Sequence, residues 1–249
     1  MPHRVIFTFL TLLILIAALP INSALTGRRI RSVPLTQQAK LFRYGRTVVV
    51  LWSVTALALY ALRLHGLDAA SVGIRPPHEP AQLALGLISL LAPLLATLAG
   101  APRSLRPDYV VALRAVVPTD RVQWASFVVV AASASLCEEF LYRGYALVLI
   151  ASLTGSVVIG VLTSTLAFGF AHAYQGKAGI VGATVSGLLY AAVFLLTGSL
   201  YPCMIGHFVQ DIAGATVLSR RIAAPDPQKV APRDERAVGS SPERPENKD

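Results

Sequence analysis

The stretch VQWASFVVVAASASLCEEFLYRGYAL, residues 122–147, decides the fold because it sets charged side chains inside a long apolar run. The chain stays apolar almost throughout 122–219, and its runs approach the roughly 20 residues with which a helix crosses a bilayer. Of all 249 residues, 54% are hydrophobic and 14% are charged, whereas soluble proteins carry about 25% charged residues. We therefore predict an all-α, polytopic transmembrane helical bundle whose main solvent is lipid.

Apolar runs along the chain predict seven or eight membrane spans. Turn-like pairs at Gly176-Lys177, Gly198-Ser199 and Tyr201-Pro202 separate the last of these runs. The predicted spans are residues 5–25, 47–62, 81–99, 122–142, 145–164, 165–173, 180–196 and 200–218.

The first apolar run, residues 5–19, has two interpretations. It follows Arg4 and precedes small residues, as in a signal peptide, or it extends to about residue 25 as a first membrane helix. Asn22 fits the small-x-small cleavage pattern poorly, and other spans follow. We therefore expect the helix.

Charge along the chain predicts its organisation and its environment. The 22 Lys and Arg residues exceed the 13 Asp and Glu residues, but they lie between apolar runs and in the tail, which is typical of membrane loops rather than of a nucleic-acid surface. The segment 26–46 holds six basic residues and no acidic one, so we predict a cytoplasmic loop there. The segment 101–121 also has an excess of Arg and is expected on the same side.

Three parts follow from this pattern. Residues 1–121 form N-terminal helices and basic loops, 122–219 form the core that carries the chemistry, and 220–249 form the tail. The tail has five prolines, mixed charges and few apolar residues, so it cannot bury enough surface to offset its ordering entropy. We predict that it is disordered.

Few charged residues lie within 122–219, and they mark the candidate site. A charge at membrane depth costs a few kcal/mol, so such residues face a bundle interior or a wet cavity and are functional by default. Lys177 is an exception, because it sits at a glycine-bounded turn and can extend to the headgroups. The charged residues and histidines of this region are Glu138, Glu139, Arg143, His172, Lys177, His207 and Asp211.

The first group is Glu138-Glu139 with Arg143. Glu139 and Arg143 are four residues apart, so they share a helix face and can pair as structural support. Glu138 points about 100° away and has no local partner. A carboxylate out of water either has a raised pKa or finds a partner on another helix, and both outcomes suit a general base.

The other two groups contain the histidines. His172 ends the sequence Phe-Gly-Phe-Ala-His, and a lone histidine of this kind is more often a packing residue than a catalyst. His207 and Asp211 are four apart, so we predict that Asp211 accepts the N–H of His207 and fixes its tautomer. That pair would serve a metal ligand with its supporting carboxylate, an oxyanion-binding donor, or merely a polar contact between helices.

Together the three groups resemble the CAAX-protease and bacteriocin-processing (CPBP, or Abi) family of membrane endopeptidases. That family has Glu-Glu-x-x-x-Arg, Phe-x-x-x-His and His-x-x-x-Asn/Asp on successive helices. The matching strings here are Glu138-Glu139…Arg143, Phe168…His172 and His207…Asp211, in order. The resemblance covers about 122–219, and the N-terminal half carries nothing diagnostic.

The resemblance implies roles for these residues. Glu138 and His172 would activate the attacking water, His207 and Asp211 would bind the oxyanion or help to hold a metal, and Glu139 and Arg143 would be structural. Family members have been interpreted both as metallopeptidases and as metal-free glutamate peptidases. The His-Glu-x-x-His zinc motif is absent, yet His172 and His207 with carboxylates leave a divalent metal such as zinc open as a cofactor.

We therefore predict an intramembrane endopeptidase that cuts a peptide or membrane-protein substrate near the surface of the lipid bilayer, in a bacterial plasma membrane. Prenylated CAAX proteins are the best-known family substrates, but this sequence encodes no evident prenyl recognition. Two rivals stay open. One is a non-catalytic immunity or scaffold protein that keeps a structural polar cluster, and the other is a proton-coupled transporter, since Glu and His also form relays.

Overall fold

The protein forms a helical bundle in a computed structural model. The structure describes residues 2–32, 36–77, 79–89, 91, 95 and 113–223. No strand occurs among these residues, so the predicted all-α class is confirmed for them. The helices are α1 (Pro2–Leu13), α2 (Leu19–Ser32), α3 (Gln37–Leu64), α4 (Pro80–Ser89), α5 (Arg121–Glu139), α6 (Val148–Thr154), α7 (Val157–Ala171), α8 (Lys177–Thr197) and α9 (Tyr201–Ala223).

Four helical segments of the described chain are long and apolar enough to cross a membrane. They are His3–Ile30, Gln37–Leu64, Arg121–Thr154 and Lys177–Thr197, and a shorter apolar helix spans Val157–Ala171. A count of seven or eight spans is not confirmed. The predicted span 81–99 is described only through Ser89 and at residues 91 and 95, while most of the segment 101–121 and the tail from 224 lie outside the described residues.

The predicted break between residues 142 and 145 is wrong. Helix α5 continues through a π-helical segment, Phe140–Leu147, into α6. A Cβ on Gly144 would lie 2.7 Å from the carbonyl oxygen of Val72, so this glycine permits close packing and does not turn the chain. The turn comes instead at Gly155, whose φ of 68° suits glycine.

The predicted loop 26–46 is largely helical. Helix α2 runs to Ser32 and α3 begins at Gln37, where the Thr36 side chain accepts a hydrogen bond from the Ala39 amide. Arg43 and Arg46 therefore lie on a spanning helix and not in a loop. The breaks predicted at Gly176 and Gly198 are confirmed, with φ values of 82° and 62°.

The long segment from Arg121 to Thr154 is the centre of the bundle. It packs against α3, α7 and α9, and all eight residues of its π-helical part are buried. The buried Lys40 donates from Nζ to the Val117 carbonyl at 2.7 Å and to Gln123 Oε1 at 2.9 Å. These bonds hold the starts of α3 and α5 together. Such contacts are expected if segments 26–46 and 101–121 lie on the same side of the membrane, as predicted.

Candidate active site

Glu139 and Arg143 form the predicted ion pair at the junction of α5 and the π-helical segment. Arg143 Nη1 lies 3.0 Å from Glu139 Oε1, and both side chains are almost completely buried. The Arg143 guanidinium also lies over the Phe168 ring, with its carbon 4.3 Å from the ring centroid. A π-face that covers the cation helps to stabilise it away from water.

His207 is oriented by Glu139, which corrects the prediction that Asp211 fixes its tautomer. His207 Nδ1 donates to Glu139 Oε1 at 2.8 Å. His207 Nε2 is 3.7 Å from Asp211 Oδ2 and 3.9 Å from Glu138 Oε2, which are distances of charge proximity and not of hydrogen bonds. The i, i+4 spacing brings Asp211 near, but the imidazole turns its Nδ1 towards α5.

His172 follows the last residue of α7 and is held by its own helix. Its Nδ1 donates to the Phe168 carbonyl at 2.9 Å, which leaves Nε2 as the available ring nitrogen. The Phe168 ring lies 4.7 Å from the His172 ring and 6.0 Å from the His207 ring, between centroids. Phe168 therefore packs against both imidazoles and brings the second and third sequence groups together.

A cavity of about 190 Å³ adjoins these residues, and both Glu138 and His172 line it. His207 and Asp211 are absent from its lining, so the structure brings only two of the four predicted catalytic residues to this space directly. His207 lies close to the cavity, because its Nε2 is 3.9 Å from Oε2 of Glu138, which lines the cavity. Among the described residues, Glu138 Oε2 and the Tyr142 hydroxyl are both buried without a hydrogen-bond partner.

Three further residues of the cavity escaped the sequence reasoning. Tyr142 lies four positions after Glu138, a spacing that could have identified it. Tyr174 stacks on His172, with ring centroids 6.2 Å apart and an angle of 29° between the planes. Arg43 was assigned to a loop, and no local signal in the sequence would have placed it here.

The described residues do not form a ready-made cluster of metal ligands. Within the described ranges, no group of three or more His, Cys, Asp or Glu side chains could hold a metal ion, whereas a catalytic zinc usually has three protein ligands. The predicted ligands His172 and His207 each donate from Nδ1 within the protein, which leaves Nε2 of each ring as the nitrogen that could bind a metal. Metal dependence therefore stays a prediction for experiment.

A family model described as "Type II CAAX prenyl endopeptidase Rce1-like" matches residues 120–213, which is less than half of the chain. No curated protein and no solved structure matches. The apolar helices and the matched segment define a CAAX-protease-like integral membrane protein. The match confirms, over residues 120–213, the resemblance that the three motifs predicted.

Proposed function

We propose that this protein is an intramembrane endopeptidase that hydrolyses a peptide bond near the membrane surface. The observation that carries the proposal is that Glu138 and His172, from different helices, line one cavity within a bundle of apolar helices. A buried carboxylate oxygen without a partner among the described residues costs stability. Such a cost is expected where a group serves a reaction rather than the fold.

Glu138 acts as the general base in this proposal. A water in the cavity attacks the scissile carbonyl carbon, and a Glu138 carboxylate oxygen accepts its proton. His172 holds this water through Nε2, because its Nδ1 is already bonded to the Phe168 carbonyl. Glu138 then passes the proton to the leaving amine nitrogen as the C–N bond breaks, so that the products are a carboxylic acid and an amine.

His207 stabilises the oxyanion of the tetrahedral intermediate. Its Nδ1 is fixed by Glu139, and its Nε2 lies near both Glu138 and Asp211. In the protonated ring, Nε2–H can donate to the developing oxyanion. Glu139 and Arg143 do not touch the substrate in this account, and they position His207.

Peptide cleavage in a defined bilayer tests the proposal. The purified full chain in proteoliposomes is incubated with a library of membrane-anchored peptides, prenylated and unprenylated, in water enriched with oxygen-18. Mass spectrometry should find cleaved peptides with one heavy oxygen in the new carboxylate. His172→Ala should abolish these products, while Lys177→Gln, an exposed charge change at the start of α8, should not. A parallel incubation with a chelator decides whether cleavage depends on a metal. A wild-type chain that cleaves no peptide contradicts the proposal.

A non-catalytic scaffold or immunity protein is the second candidate. The contacts among Glu139, Arg143 and His207 favour it, because they tie α5 to α9 without any substrate. In that case the loss of biological function in variants of the cluster would follow their loss of thermal stability. Variants that lose function at unchanged stability would exclude this candidate.

A further inference from the structure

The cavity that Glu138 and His172 line is also lined by two arginines. Arg43 and Arg46 both line it from α3, three residues apart and therefore on neighbouring positions of one helix face. Among the described residues that line the cavity, Glu138 is the only acidic one. The cavity thus has one anionic group, which the proposed reaction uses, and two cationic groups, which it does not use.

Arg43 is incompletely bonded within the described part of the chain. Its side chain is half-buried, and its Nη1 is shielded from solvent with no hydrogen-bond partner among the described residues. Two other polar residues of the cavity lining are engaged elsewhere: the Tyr44 hydroxyl donates to the Val116 carbonyl, and Ser23 Oγ accepts from the Tyr174 amide. A shielded guanidinium N–H that lacks an acceptor is costly unless a ligand supplies one.

The part of the cavity beside Arg43 suits an oxyanion as its ligand. A guanidinium binds a carboxylate through parallel N–H donors, and the pair gains strength where water is excluded. Apolar side chains, among them Leu19, Val50 and Leu51, line the same cavity, so its occupant should combine apolar groups with one anionic group. An apolar peptide that carries a carboxylate has this combination.

We propose that Arg43, with support from Arg46, binds a carboxylate of the peptide substrate and so places the peptide relative to Glu138. This inference rests on the proposed function, since it names a substrate class for the same site. The carboxylate is either the C-terminal one or that of an acidic side chain. The site lies on α3, outside the segment 120–213 that matches the family.

Binding of matched probes tests the site without cleavage. The probes are dansyl-Leu-Ala-Leu with a free C-terminal carboxylate, the same peptide as its amide, and dansyl-Leu-Glu-Leu-amide. Dansyl fluorescence is titrated with the purified full chain in nanodiscs of phosphatidylcholine. At least one carboxylate-bearing probe should bind about tenfold more tightly than the neutral amide, and which of the two does so identifies the C-terminal or the side-chain source.

Variants decide whether Arg43 causes the preference. Arg43→Gln should remove the difference between the carboxylate probe and the amide. Arg63→Gln, on the exposed last turn of α3 away from the cavity, should keep the difference. A wild-type chain that binds all three probes equally, or a preference that survives in Arg43→Gln, overturns the inference.

Lipid is the remaining source of an oxyanion. Nanodiscs that contain phosphatidylglycerol should leave the carboxylate preference within about twofold, and its loss there would show that Arg43 binds a net anionic lipid headgroup instead. The outcomes also separate this inference from the proposed function. A chain that binds the carboxylate probe but cleaves no peptide refutes the peptidase and keeps the site, whereas a chain that cleaves peptides without carboxylate preference refutes only the site.

Discussion

His207 Nδ1 donates to Glu139 Oε1, the same oxygen that lies 3.0 Å from Arg143 Nη1. One buried carboxylate therefore joins a cation of its own helix to an imidazole of α9. The hydrogen bond fixes which nitrogen of His207 faces Glu138 and Asp211. Glu139 therefore links the first sequence group, which contains Arg143, to the third, which contains His207.

Glu139→Gln should both destabilise the protein and slow cleavage. The amide leaves the buried Arg143 without an anion, and breaking a buried ion pair costs about 3–5 kcal/mol. His207 would also lose the acceptor that orients it. Thermal unfolding in detergent and the cleavage rate of the surviving folded fraction measure the two effects.

Asp211→Asn is the matched control for that substitution. Asp211 is one-third exposed and lies 3.7 Å from His207 Nε2, so we expect its unfolding free energy to stay within about 1 kcal/mol of wild type. A loss of stability as large as that of Glu139→Gln would contradict the assignment of Glu139 as the main carboxylate partner of His207.

Arg143→Lys should destabilise the protein although the charge is kept. The guanidinium pairs with Glu139 and covers the rings of Phe168 and Tyr190, with its carbon 4.3 and 5.7 Å from their centroids. An ammonium is compact and more strongly hydrated, and it cannot reproduce this planar contact. We expect a loss of about 1–2 kcal/mol in unfolding free energy. An unchanged melting temperature would contradict this role of the guanidinium plane.

Tyr142→Phe separates catalysis from stability. The Tyr142 hydroxyl is buried beside the cavity and has no partner among the described residues. Removing an unsatisfied buried polar group should leave stability equal or raise it by about 1 kcal/mol. If the hydroxyl contacts water or substrate, kcat should fall about tenfold or more. A variant that is destabilised and fully active would show a structural hydroxyl instead.

Gly27→Ala should disturb the segment that follows His172. A Cβ on Gly27 would lie 2.9 Å from Tyr174 Cα and 3.3 Å from the carbonyl oxygens of Ala173 and Tyr174. These are backbone atoms, so α2 and the turn Ala173–Gln175 must move apart. We expect a fall in kcat because His172 and the ring stacked on it shift.

Gly45→Ala provides the comparison for this steric test. No described atom lies within 4 Å of a Cβ on Gly45, and alanine favours a helix by up to about 1 kcal/mol. Its activity should equal that of the wild type. Equal cleavage by Gly27→Ala and Gly45→Ala would refute a role of the α2 contact in placing His172.

The sequence was sufficient to predict the helical class and the buried ionic cluster. Charges within a run as apolar as 122–219 are costly, so they must meet partners inside the bundle. For Glu139 and Arg143 the spacing on one helix was enough, and the pair forms as predicted. Glycines at 176 and 198 also ended helices where expected.

Other features depend on packing between distant helices and could not be predicted from local pattern. Nothing near His207 in the sequence distinguishes Glu139 from Asp211 as its partner, because the choice depends on how α9 rotates against α5. Gly144 resembled a break but permits contact with Val72. Arg43 lines the cavity because α3 begins at Gln37, ten residues before the apolar run 47–62 from which the sequence predicted this helix.

The rate of peptide cleavage by Glu138→Gln tests the central claim most directly. Glutamine keeps the shape of the side chain but cannot accept a proton from water at neutral pH. The purified variant should therefore melt at nearly the wild-type temperature and cleave the peptide identified with wild type at least about 100-fold more slowly. Cleavage by Glu138→Gln at the wild-type rate would contradict the assignment of Glu138 as the base.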